Sequence, residues 1–216
     1  MTQIIAFTGP AGCGKDLVTE IMTSQMLRRD PSVSIRSLSF AAPIKLAVAC
    51  ILNCDVDDFN DRKFKEGSLL GSHGLATSPR QMMQLLGDEY GRQLIDDQIW
   101  IKTAQNNYDD ACDKGADFVF ITDLRYTNEH EWVLENGGVV IYIDRQDVAP
   151  VATHASESGL SNAPCFCIDN NSCIDDLRNE VLEMTCILQR PPVQRVSIDE
   201  CSPSEWDLVA RRCNRA

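Results

Sequence analysis

Short unbroken apolar runs alternate along this chain with stretches whose apolar residues recur every third or fourth position, and the two periods predict strands and helices in turn. Ile4-Ile5-Ala6-Phe7 is the first run, a strand over 3–8. Leu17, Val18, Ile21, Met22 and Met26 then share one helical face over 15–29, and Asp30-Pro31 stops that helix. A second strand is expected over 34–40, after which Pro43, suited to a first turn, opens a helix holding Ile44, Leu46, Ala47 and Ile51. From 53 to 77 the pattern breaks into an acidic turn, a basic patch at Arg62, Lys63 and Lys65, and a loop with Gly67, Gly71 and Gly74, which predicts a mobile segment. Ser78-Pro79-Arg80-Gln81 is a strong helix start, because the serine can cap, the proline fits the first turn and the glutamine completes a capping box. That helix is expected to reach about Ile95. Met82, Leu85, Leu86 and Glu89 face one way, Arg80, Gln84 and Asp88 form a polar stripe on another side, and Arg92 lies one turn further. A following helix carries Trp100.

Downstream, 118–123 reads as a buried strand whose carboxyl end delivers Asp123, 127–136 as a helix stopped by Gly137-Gly138, and 139–143 as another buried strand. Residues 144–160 are polar and irregular. A short strand over 166–168 and a helix over 172–188 complete the alternation, while 191–216 shows no clear periodicity and is read as a C-terminal extension. Such alternation predicts an α/β domain over 1–190, a parallel five-stranded sheet with helices on both faces.

Composition narrows the partners. Twenty basic against 32 acidic residues give a net charge of −12, so no direct nucleic acid and no membrane is expected as partner, and any phosphate binding must be local. No basic leader with a secretory apolar stretch opens the chain and no run has bilayer length, which leads to the expectation of a cytoplasmic protein. The ten cysteines are then expected as reduced thiols. Cys165, Cys167 and Cys173 cluster, but no fourth ligand follows at a familiar zinc spacing.

The chemistry-bearing string is Gly9-Pro-Ala11-Gly12-Cys13-Gly14-Lys15-Asp16, set between the first strand and the first helix where a phosphate-cradling loop belongs. Glycines at 9, 12 and 14 allow a tight turn with inward N–H groups, and Lys15 brings a mobile positive charge to outer phosphates. Asp16 stands where a magnesium-binding hydroxyl is usual. It reads either as a helix-stabilising acid in the first turn or as a magnesium ligand, direct or through water. Asp123 reads as a second magnesium ligand or as a strand-end cap. Arg125, Arg145 and, further on, His154, Ser156 and Glu157 lie on loops at the ligand end of a parallel sheet, where cations stabilise a transferring phosphoryl group or are simply solvated. Arg80, Gln84 and Arg92 are either contacts for a phosphate-bearing acceptor or the wet face of a helix.

In order and spacing these strings resemble the deoxynucleoside monophosphate kinases of tailed bacteriophages. The resemblance rests on Phe7-Thr8-Gly9 with Gly12 to Asp16, Phe40-Ala41-Ala42-Pro43-Ile44-Lys45, Arg80-Gln81-x-x-Gln84-x-x-Gly87-x-x-x-x-Arg92, and Ile121-Thr122-Asp123-x-Arg125-Tyr126-x-Asn128-Glu129. It continues through Gly137-Gly138, His154-Ala155-Ser156-Glu157 and Ile168-Asp169-Asn170-Asn171, spanning 3 to about 188. It implies a three-layer αβα P-loop NTPase fold with an acceptor-binding segment at about 45–105 and a lid at about 145–160. It also implies ATP and Mg2+ as cofactors and a deoxynucleoside monophosphate as substrate, turned into a diphosphate for DNA precursor supply. Lys45, Arg80, Gln84, Arg92 and Trp100 map onto the monophosphate pocket, with Arg145 as the lid's guanidinium and Arg125, Lys63 and Lys65 as further cations. Gly-Lys-Asp is this family's own variant of the phosphate loop. Related enzymes are often dimers, so a homodimer is expected, in the cytoplasm of an infected cell if a phage encodes the chain. Outside this family, a phosphomevalonate-kinase-like enzyme shares the Gly-Lys-Asp and Asp-x-Arg pieces, and a nucleotide-hydrolysing switch protein shares the phosphate loop.

Overall fold

Strands form within or close to the stretches where the sequence predicts them: β1 (Gln3–Thr8), β2 (Ile35–Leu38), β3 (Phe118–Ile121), β4 (Val139–Asp144) and β5 (Phe166–Asp169). They build one parallel sheet in the order β2-β3-β1-β4-β5. The computed structural model describes residues 2–146 and 164–189. Within it the chain divides into two compact units, the residues up to Ser37 with those from Cys112 onward, and Leu38–Ala111. Among the described residues no helix is long and apolar enough to cross a membrane.

Register explains why the first unit needs helices on both faces of its sheet. Ile5 pairs with Phe120, Phe7 with Ile141, and Ile141 with Phe166, so these side chains emerge on one face. There they meet Val18, Met22 and Met26 of α1 (Lys15–Arg29) and Leu177 and Val181 of α8 (Ile174–Leu188), all fully or almost fully buried. Phe7 and Phe120 stack edge to face with centroids 5.8 Å apart. Each such residue contributes about 1.5–3 kcal/mol by leaving water. Ile4, one step along β1, points to the opposite face, where Gly138 brings it against Val133 of α7 (Thr127–Glu135). The layers are therefore helix, sheet and helix.

The second unit is helical: α2 (Ala42–Leu52), a single 3-10 turn (Val56–Asn60), α3 (Arg62–Glu66), α4 (Leu70–His73), α5 (Pro79–Gln84), a π-helical segment (Leu85–Ile95) and α6 (Ile99–Asp113). Its core gathers Val48, Ala49, Leu52, Phe59 and Leu69 against Met82, Met83 and Leu86. Two expectations are corrected here. The stretch 53–77, expected as a mobile loop, forms three short helices, because Asp55 and Asp61 cap backbone N–H groups and Phe59 and Leu69 are buried. The capping box at Ser78 and Gln81 forms as expected, but the helix it starts is α only to Gln84 and then widens to π hydrogen bonding. In that register Leu85 and Glu89 are exposed, and do not join Met82 and Leu86 on the inner face.

Candidate active site

β1 ends at Thr8 and α1 begins at Lys15, so the glycine turn occupies 9–14 at the carboxyl end of the central strand. Gly9, Gly12 and Gly14 all adopt positive φ (138°, 84° and 101°), a backbone path that side chains resist. A Cβ on Gly9 would also lie 2.7 Å from the Ile143 carbonyl. Lys15 arches back over the turn, its Nζ donating to the Gly9 and Pro10 carbonyls at 2.8 and 2.9 Å. Cys13 is fully buried beneath it. Burial, reinforced by the Asp144 charge and by Cys13, pushes the Tyr142 phenol up, so this neighbour stays neutral.

Two loops from other strands are fastened at the same edge of the sheet. After β3, the Thr8 hydroxyl donates to the Leu124 carbonyl at 3.3 Å, and the buried Glu129 carboxylate accepts the N–H groups of Arg125 and Tyr126 at 2.9 and 3.1 Å. These bonds fix the backbone between Asp123 and Arg125, both half-buried. After β5, Asn170 donates its side-chain amide to the Cys13 carbonyl at 2.7 Å, while its own N–H reaches the Asp144 carbonyl at 2.8 Å. Asn171 accepts the Gln146 N–H at 2.7 Å and donates to the Asp144 and Asp169 carboxylates. Arg145 stands exposed between these anchor points. Asn170, Asn171 and Glu129 entered the sequence reading only as letters of longer strings. The signal that could have singled them out is a run of amide side chains at a strand's carboxyl end and a capping-box glutamate four residues after Arg125.

Asp16 is exposed in the first turn of α1 and lines an open groove of about 710 Å3 with Thr19, Glu20, Thr23, Ser37 and Thr122, the residue before Asp123. Asp16 and Asp123 offer oxygen donors only, which suits a hard cation such as magnesium that keeps several waters. No group of three or more metal-binding side chains exists among the described residues.

In the second unit Arg80 lies 3.7 Å from the Glu66 carboxylate, which also pairs with Arg62 at 3.1 Å. Arg92 donates to the Asp97 carbonyl at 3.3 Å. Lys45, Gln84, Asp88 and Arg92 are half-buried. Trp100 is built into the unit's own packing: its indole N–H donates to the Gly87 carbonyl at 2.7 Å and its ring covers Gly91. His154, Ser156 and Glu157, with most of the expected lid at 145–160, and the extension at 191–216 lie outside the described residues.

A parallel sheet of this order, with a glycine turn and lysine on its central strand, defines a P-loop nucleotide-binding α/β protein. Residues 73–181, just over half of the chain, match the family model described as deoxynucleotide monophosphate kinase, and the chain belongs to that family. Among curated relatives it is 25% identical to the deoxynucleoside-5'-monophosphate kinase of Escherichia phage T5, over 74% of this chain and 86% of that one. It is 24% identical to a protein of Acanthamoeba polyphaga mimivirus named as a deoxynucleotide monophosphate kinase, over 83% of this chain and 94% of the other. A 105-residue stretch is 29% identical to the deoxynucleotide monophosphate kinase of Escherichia phage RB69, covering 48% and 43% of the two chains. Neither the phosphomevalonate-kinase nor the switch-protein alternative finds support in these matches.

Proposed function

We propose that this chain transfers the γ-phosphoryl group of ATP to a deoxynucleoside monophosphate, giving ADP and a deoxynucleoside diphosphate for DNA precursor supply. Family membership carries the reading. The glycine turn supports it, since loop N–H groups at Gly9, Ala11, Gly12, Cys13 and Gly14 suit donor phosphates and the Lys15 ammonium, held now by two carbonyls, can exchange them for phosphate oxygens. Asp16 and Asp123 would hold magnesium, in part through water. Bound there, the ion neutralises charge on the donor's terminal phosphates. Lys45, Arg80, Gln84 and Arg92 bind the acceptor, a guanidinium gripping phosphate in a fork and the carboxamide reading a base edge. An oxygen of the acceptor phosphate attacks the γ-phosphorus, the bond to the ADP oxygen breaks, and Arg125 and Arg145 stabilise the charge that develops. No side chain acts as nucleophile. His154, Ser156 and Glu157 complete the acceptor site in this reading, and the assembly is a homodimer.

The test is an ATP-consumption assay across all natural ribo- and deoxyribonucleoside monophosphates together with hydroxymethylated pyrimidine forms. Selective turnover of at least one deoxy acceptor, dependent on magnesium, is the expected result. ATP hydrolysis at the same rate with and without every acceptor would overturn it.

A further inference from the structure

The segment Leu85–Ile95 contradicts its own sequence. At about 100° per residue an α-helix would line up Met83, Leu86, Tyr90 and Leu94 within a sector of roughly 80°, a good core-facing stripe. The structure instead leaves Tyr90 54% and Leu94 77% exposed and buries Gly87 and Gly91. The π register causes the exchange. With i→i+5 bonds each residue turns by only about 82°, and the bond from the Asp96 N–H to the Gly91 carbonyl, 3.0 Å, is of this kind. Gly91, which an α-helix would place beside Arg80, is swung by the slower rotation onto the core side, between Met82 and Leu86 on one flank and Met83 and Gly87 on the other, where Trp100 covers it.

Forfeiting two large apolar side chains needs an offsetting gain, and local rules broken in this way concentrate at functional positions. The gain is visible in the polar stripe. In a continuous α-helix Arg80, Gln84, Asp88 and Arg92 would spiral over about 120°, each step of four residues advancing by about 40°. One α step followed by two π steps, each turning back by about 30°, gathers all four within about 65°. All four are half-buried on the flank between the core and the exposed side.

We propose that the α-to-π switch is the device that aligns Arg80, Gln84 and Arg92 as a single file for the acceptor nucleotide, and that Trp100 is its positioning residue rather than a substrate contact. This deepens the acceptor site proposed above and rests on it. Trp100 acts through two contacts inside the unit. Its indole N–H takes up the Gly87 carbonyl, and its ring lies where a Cβ on Gly91 would come within 2.6 Å of Cζ2, so only glycine admits the seat. Gly87 is matched in the same way to Ile44, whose Cδ1 would lie 2.8 Å from a Cβ there.

The experiment compares Trp100→Phe, which keeps a ring but loses the N–H, and Gly91→Ala, which obstructs the seat, with Arg80→Ala and Arg92→Ala. Steady-state kinetics are run with each substrate varied in turn. For the first two variants kcat/KM for the acceptor is expected to fall roughly ten- to a hundredfold, while KM for ATP stays within about twofold, a split that general destabilisation would not produce. Unchanged acceptor kinetics in Trp100→Phe and Gly91→Ala, beside clear losses in the arginine variants, would overturn the inference and leave the acceptor site standing. Donor and acceptor constants worsening together would also overturn it, since that is the mark of a merely structural tryptophan. If Arg80→Ala and Arg92→Ala are themselves silent, the acceptor site falls and the alignment falls with it.

Discussion

Replacing Asn170 with alanine removes one hydrogen bond from the nucleotide turn, together with the amide's packing over Gly14. Its Nδ2 lies 2.7 Å from the Cys13 carbonyl, and Gly14 makes room for it, since a Cβ there would lie 2.6 Å from that nitrogen. The backbone N–H of residue 170 still reaches the Asp144 carbonyl in the variant, so the strand end stays anchored. A neutral hydrogen bond contributes about 1 kcal/mol net, and leaving a partly buried acceptor without its donor adds to the loss, for a total of about 1–2 kcal/mol. If the turn cradles phosphates only in its braced shape, that cost falls on donor capture, and kcat/KM for ATP drops roughly 5- to 30-fold. The assay varies ATP at saturating acceptor and then the acceptor at saturating ATP. Asn170→Asp, which cannot donate and sets a charge against a carbonyl, should lose at least as much. An Asn170→Ala protein that melts lower but handles ATP normally would refute the reasoning, because the bond would then hold the sheet edge together without shaping the turn.

Lys15→Ala should abolish turnover, by a factor on the order of a thousand or more, while far-UV circular dichroism stays native, because the ammonium bonds to Gly9, Pro10 and Cys13 of its own loop and not to the sheet; near-normal activity would rule out the proposed donor site. Glu129→Ala removes the buried carboxylate that accepts two partly buried N–H groups and should cost about 2–3 kcal/mol, a drop in Tm of roughly 4–12 °C, with partial recovery in Glu129→Gln. Leu94→Lys tests the π register directly: on an exposed position it should move Tm by no more than about 2 °C, whereas a protein that fails to fold would mean the leucine is a core residue. Activity should vanish in excess EDTA and return with magnesium, and activity that survives chelation would remove Asp16 and Asp123 from the metal role.

Elements with one dominant period were legible from the chain alone. β1 and α1 lie at the expected residues because a four-residue apolar run and a single helical stripe admit no second arrangement, and the Ser78 capping box needs only its own four residues. Where the reading went astray, the deciding contacts join distant positions. The caps at Asp55 and Asp61 are themselves local, reaching N–H groups two residues on, but no local pattern announces that Phe59 and Leu69 would find a core to hold these short helices. The helix after Ser78 carries a sound α pattern, and only the indole from α6 and the two buried glycines turn it into a wider coil.

The candidate site divides along the same line, which bears on how such a site is built. Residues that would touch phosphate, Gly9 to Asp16 and Asp123-x-Arg125, are close in sequence to the strands that deliver them, so motif and period together expose them. Residues that hold those loops in shape bond across 116 positions from Thr8 to Leu124 and 157 positions from Asn170 to Cys13. Each is an ordinary hydroxyl or amide whose partner is a backbone carbonyl, and a carbonyl leaves no trace in the sequence of the residue that owns it. A parallel sheet makes such bonds necessary, since the loops after β1, β3 and β5 each lead from a strand's carboxyl end into a helix and have no hairpin partner to stiffen them. The turn that would receive the donor is therefore only as well defined as its polar fastenings. Substitutions at Thr8, Glu129 and Asn170 should then degrade catalysis before they unfold the sheet, whose apolar registers they leave untouched.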